Sequence, residues 1–118
     1  MSSMISWNLQ MSVRDGQLDT ARELMREMVA STLDEPGTLG YEWFLSDDGK
    51  TCHIHERYVD SDAAVVHAGT FGSSFAERFL ACFEPTSLSV YGDPSAAARV
   101  GLDGLGAKYL GLFGGFNR

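Results

Sequence analysis

The chain has 118 residues, a hydrophobic fraction of 44% and a formal net charge of −7. That length is expected to form one domain, 1–118, whose core needs no disulfide or structural metal, and the acidic balance disfavours a nucleic-acid partner. No apolar run approaches the about 20 residues that cross a bilayer, so no membrane partner is expected.

The start, Met1-Ser2-Ser3-Met4-Ile5, lacks the basic and apolar regions of an export signal, and a cytoplasmic location is expected. Ile5, Trp7, Leu9 and Met11 alternate with Ser6, Asn8, Gln10 and Ser12, the period of a strand with one apolar face. Leu18, Ala21, Met25, Met28 and Val29 then fall on one face of a helix, with Asp15 as its expected N-cap. Pro36 has no N–H to donate, so the helix stops before it and Gly37 supplies the turn.

Leu39, Tyr41, Trp43 and Leu45 alternate with Gly40, Glu42 and Phe44, and a further strand is expected over 51–59. Asp48-Gly49 between them is a hairpin signal, because both turn positions favour positive φ. A two-residue loop there pairs Asp47 with Lys50. Tyr41 then faces Glu56, Trp43 faces Ile54 and Leu39 faces Tyr58, while Glu42 meets His55 and Phe44 meets His53 on the other side.

Asp60-Ser61-Asp62 caps a helix from Ala63, which Gly69 and Gly72 interrupt. It resumes through Phe71, Phe75, Phe79 and Phe83 until Pro85. A fourth strand spans 86–91. Asp93-Pro94 reads as the cap and first position of a short alanine-rich helix ending near Leu105, before an apolar, glycine-rich tail at 109–116. The order β-α-β-β-α-β is the ferredoxin-like α+β arrangement with an antiparallel sheet, its core at 5–91 and a C-terminal helix and tail extension at 92–118. Two helices cover one face of such a sheet. The other face carries Phe44, His53, His55, Arg57 and Tyr91, and predicts a homodimer with stacked sheets.

On the covered face, Trp7, Leu9, Tyr41, Trp43, Tyr58, Phe71 and Phe75 would line an aromatic space, with Glu56 and His67 as its titratable members. A carboxylate on a core face must be paired or protonated. A desolvated Glu56 or His67 beside the Tyr41 hydroxyl has the chemistry to deprotonate a phenol. The plainer alternative makes the aromatics simple core, sends Glu56 to an arginine at the rim and leaves His67 on the surface. His53-x-His55 opposite Glu42 lacks a third ligand at fixed spacing, so it reads as polar packing at a dimer interface and no metal is assigned. Cys52 and Cys82 read as reduced core thiols. No G-x-G-x-x-G, Walker or G-x-S-x-G motif occurs.

The run Glu35-Pro36-Gly37-Thr38-Leu39-Gly40-Tyr41, then Glu56-Arg57-Tyr58, Asp62-Ala63 and His67 ahead of Phe71, resembles the antibiotic biosynthesis monooxygenase family over roughly 5–91. The resemblance implies a dimeric α+β barrel. It also implies oxygenation of an aromatic quinol or polyketide-like phenol by O₂ with no cofactor, the protein supplying a dry pocket, orientation and a base. Carried onto this chain, His67, Glu56 and Tyr41 become the catalytic candidates, and Trp7, Leu9, Trp43, Tyr58, Phe71 and Phe75 the substrate wall. A haem-degrading branch of the fold resembles the chain less, since Leu9 rather than Asn8 falls at the matching strand position. Two alternatives stand beside the oxygenase: a non-catalytic small-molecule binding or stress-response module, and a cyclase, isomerase or decarboxylase that needs no O₂.

Overall fold

A computed structural model describes residues 3–118; Met1 and Ser2, part of the start read for an export signal, lie outside them. The elements run β1 (Ile5–Val13), α1 (Leu18–Leu33), β2 (Thr38–Leu45), β3 (Thr51–Tyr58), α2 (Ser61–Thr70), a π-helical turn (Phe71–Phe75), α3 (Ala76–Cys82), β4 (Phe83–Tyr91), α4 (Ala96–Asp103) and β5 (Lys108–Leu110). The sheet order is β2-β3-β1-β4-β5. The first four strands are antiparallel neighbours, as the ferredoxin-like reading requires, but β5 lies parallel to β4 and makes the sheet mixed.

Strand β1 sits at the centre because its apolar face is the most complete. Ile5, Trp7, Leu9 and Met11 are all buried, and β3 and β4 add Ile54, Tyr58, Leu88 and Val90 beside them. Helix α1 buries Ala21, Leu24 and Met28 against this face, a stripe that includes Leu24 where Met25 and Val29 had been expected. The hairpin register follows the alternation: Tyr41 pairs with Glu56, Trp43 with Ile54, Glu42 with His55 and Phe44 with His53. Near its start β2 bulges, so Thr38 rather than Leu39 pairs with Tyr58. The connection is also longer than two residues. Ser46 and Thr51 close it, Asp48 Oδ1 accepts from Ser46 Oγ and the Lys50 N–H, and Gly49 alone has positive φ, at 73°.

Asp60 caps α2 as expected, accepting from the Ala63 N–H at 2.9 Å. Two other caps differ. Asp15-Gly16 forms a turn, Gln17 takes the N-cap of α1 without a side-chain bond, and the positive φ of Gly16 explains the break. Ser95, not Asp93, caps α4 by accepting from the Ala98 N–H, while Asp93 pairs with Arg99. The interruption expected at Gly69 and Gly72 is a π turn rather than a break: the Ala76 N–H donates back to the Phe71 carbonyl, five residues away. Helix α3 ends at Cys82, and Pro85 falls inside β4 beside a register shift opposite Gln10 and Met11, where its missing N–H is tolerated.

Gly37 has a structural duty unlike the one its turn position suggested. Its φ is not positive. A Cβ there would lie 2.5 Å from the Ala63 Cβ, so glycine is what lets the start of β2 meet the first turn of α2. That contact brings α2 down over β2 and β3, where the site forms.

Candidate functional site

Three local rules assemble the polar centre. Strand alternation places Glu56 and Tyr58 on the same, inner face of β3. The Asp60 cap sets the phase of α2, so that His67, two turns on, points at that face. Glu35 follows the end of α1, its N–H bonded to the Thr32 carbonyl and its carbonyl to the Thr38 N–H, and this turn aims its side chain at α2.

The result is a chain of five residues. Tyr58 Oη donates to Glu56 Oε1 at 2.6 Å. His67 Nε2 lies 3.2 Å from the same oxygen, and its Nδ1 lies 3.0 Å from Glu35 Oε1. Thr38 Oγ1 donates to Glu35 Oε1 at 2.8 Å. Glu56 is 4% exposed and His67 8%. A neutral imidazole has one donor and one acceptor nitrogen, so only imidazolium can donate to both carboxylates. The titration of His67 agrees: burial opposes its charge, but the bonds and charges of Glu56 and Glu35 prevail and raise its pKa above the ordinary value.

Tyr58 is held neutral by burial, by the neighbouring Glu56 charge and by the proton it donates. Tyr41, across the hairpin from Glu56, is likewise held protonated by burial and by that charge. Burial also pushes the Cys52 thiol up to about 11, which fits an inert core thiol.

Above this centre lies a cavity of about 290 Å³. Trp7, Leu9, Ile54 and Leu88 form its floor on the sheet, Phe71 and Phe79 one side, and small residues of α2 and α4 the other. Among the described residues Glu56, His67 and Tyr41 are its only titratable groups. Glu56 Oε1 takes both hydrogen bonds, and Oε2 has no hydrogen-bond partner among the described residues. Glu35 and Glu56 approach opposite edges of the imidazole and do not converge. Among the described residues no group of three or more His, Cys, Asp or Glu is placed to hold a metal ion, His53, His55 and Glu42 included.

Of the residues singled out by sequence, Trp7, Leu9, Tyr41, Glu56, His67 and Phe71 meet at this cavity. Tyr58 does not line the cavity; it donates a hydrogen bond to Glu56 from beside it. Trp43 turns instead to a smaller hollow of about 170 Å³ beside Cys52 and Phe83, and Phe75 packs on the core without reaching the cavity. Neither an arginine for Glu56 nor a surface position for His67 is found. Sequence reasoning treated Glu35 as turn chemistry and did not place it in the site. A carboxylate between a helix stop and a strand was the available signal, but nothing local says that it meets His67. The α4 wall was also missed, although its run of alanine and glycine was in plain view.

The geometry has relatives. MupZ from Pseudomonas fluorescens is 18% identical and superposes over 100% of this chain and 91% of its own, with a TM-score of 0.86. Rv0793 from Mycobacterium tuberculosis is 23% identical over 80% of this chain and 99% of its own, at 0.62. SnoaB, a cofactor-independent oxygenase from Streptomyces nogalater, is 12% identical over 80% and 97%, at 0.67. At these identities the likeness is one of fold. No curated protein matches the chain in sequence. The family model of antibiotic biosynthesis monooxygenases matches residues 4–84, which hold β1 to the start of β4 and all five members of the polar chain, and the protein belongs to that family.

Proposed function

We propose that the protein is a monooxygenase that uses O₂ without a cofactor on an electron-rich phenol or hydroquinol, with Glu56 as the base. The observation that carries this reading is the Glu56 carboxylate itself. Tyr58 and His67 anchor one oxygen, and the residue faces an apolar cavity with the other oxygen unbonded. A substrate hydroxyl seated there loses its proton to Glu56 in a site with little water, where the resulting anion is a strong reductant. The anion passes an electron to O₂, the radical pair recombines to a peroxide anion that takes back the proton held by Glu56, and the resulting hydroperoxide loses water to leave the quinone. The cavity wall, Tyr41 included, orients the ring. Membership of the family and the fold likeness to the oxygenase SnoaB support this reading. The working form is proposed to be a cytoplasmic homodimer.

A second reading is an oxygen-independent cyclisation or isomerisation. It is favoured by the imidazolium beside Glu56, which lets one pair both remove a proton and return it. An oxygen electrode with a panel of hydroquinones separates the two. Oxygen uptake that stops in Glu56→Gln supports the oxygenase. Turnover that persists without O₂ supports the second reading. Thermal stabilisation by aromatic ligands without turnover leaves a binding module and removes both.

A further inference from the structure

The family match ends at residue 84, but the cavity does not. Beyond that boundary α4 and the turn that ends it supply Ala98, Gly101, Leu102, Gly104 and Leu105 to its outer wall. The approach of α4 to α2 is close: a methyl on Gly101 would lie 3.7 Å from the Ala68 side chain. Among the lining residues, the exposed ones are Gly72, Gly101 and Gly104, so they form the mouth. None of the three has a positive φ that calls for glycine. A glycine inside a helix is less stable than an alanine, so Gly101 weakens α4 while leaving the opening clear.

Charge is the second observation. Glu56 and His67 bring the cavity's charge, and among the described residues no lysine or arginine lines it. An anion entering beside Glu56 would lose its water with no free cation to offset the loss.

We infer that α4 is the specificity wall of this site, and that it admits uncharged, mostly apolar molecules through a glycine-rimmed mouth while rejecting anionic analogues of the same shape. The inference rests on the cavity being the substrate site, and on no particular reaction there. Binding of dyes tests it without turnover, so a failed oxygenase assay leaves it standing. N-phenylnaphthylamine is neutral, and anilinonaphthalene sulfonate carries the same rings with an anionic group. The neutral dye is expected to bind the full chain at least about tenfold more tightly. Gly101→Leu should weaken that binding by about tenfold or more with an unchanged or raised Tm. Gly72→Leu, whose Cβ meets nothing within 4 Å, gives an independent obstruction of the same mouth. Replacing the exposed tail residues Leu112 and Phe113 by serine should leave the Kd unaltered. Equal affinity for the two dyes overturns the charge selection. Folded Gly101→Leu and Gly72→Leu chains that bind as wild type overturn the wall. Loss of binding in the tail variant puts the dye outside the cavity and overturns both.

Discussion

Glu35 and Glu56 hold opposite nitrogens of one imidazole, at 3.0 and 3.2 Å. Glu35 comes from the turn before β2 and Glu56 from within β3, so the helix that carries His67 is pinned to two places at once. The site is therefore a stability element as well as the proposed proton-handling element, and its variants should be read on both scales.

His67→Gln should cost about 3 kcal/mol of stability near pH 6, because it leaves two buried carboxylates without their cation. The folded pKa of His67 lies above its unfolded value of about 6.5. Folding therefore tightens the hold on that proton. The contribution is fully present below about pH 6.5 and is lost as pH rises through the folded value. Urea midpoints for wild type and variant should converge towards alkaline pH; a gap that widens instead would contradict the bridged imidazolium.

Glu56→Gln keeps the shape and removes the base. Turnover should fall at least about 100-fold with an unaltered circular dichroism spectrum. Tyr58→Phe removes one anchor from Oε1 and should cost about tenfold. Turnover in Glu56→Gln equal to wild type would take Glu56 out of the base role.

Gly37→Ala forces a methyl onto Ala63 and should destabilise by about 1–3 kcal/mol, read from the urea midpoint. Adding Ala63→Gly should restore part of the loss, with a coupling of roughly 1 kcal/mol in the double-mutant cycle. Strict additivity would mean that the two residues do not meet.

Asp60→Ala removes the α2 cap and should cost about 1 kcal/mol. Because that helix aims His67, hydrogen exchange over 61–70 should rise in the variant more than exchange over α1. Equal protection in both helices would show that the cap does not hold α2 in place.

The homodimer is open to light scattering at micromolar concentration, where twice the chain mass is expected. The outer sheet face presents Phe44 at 50% exposure and Tyr91 at 44%, a mixed surface suited to a second copy. A monomer would end this expectation.

What the sequence made legible was local or strictly periodic. The pairing of Tyr41 with Glu56 followed from centring the turn on Asp48-Gly49, and alternation supported it, since a slip by one residue would have turned Trp43 and Ile54 outward. The Asp60 cap was legible because one acceptor stood at one boundary. Asp93-Pro94-Ser95 offered two acceptors, and the choice of Ser95 depended on Arg99 drawing Asp93 away, a contact no local pattern encodes. Glu35 and His67 lie 32 residues apart, and their bond depends on how α2 docks at Gly37. The cavity wall on α4 was hidden for the same reason: small residues announce close packing without saying what they pack around.

The parallel strand β5 ties α4 to the sheet edge through β4 and lies outside the segment that holds Glu35, Glu56, Tyr58 and His67. On the proposed reading, the proton-handling groups lie before residue 84, whereas the α4 part of the cavity wall lies after it. Exchanging the stretch after Gly92 would retune which molecules enter without disturbing the groups that act on them, and a graft of that stretch would carry selectivity as a portable unit.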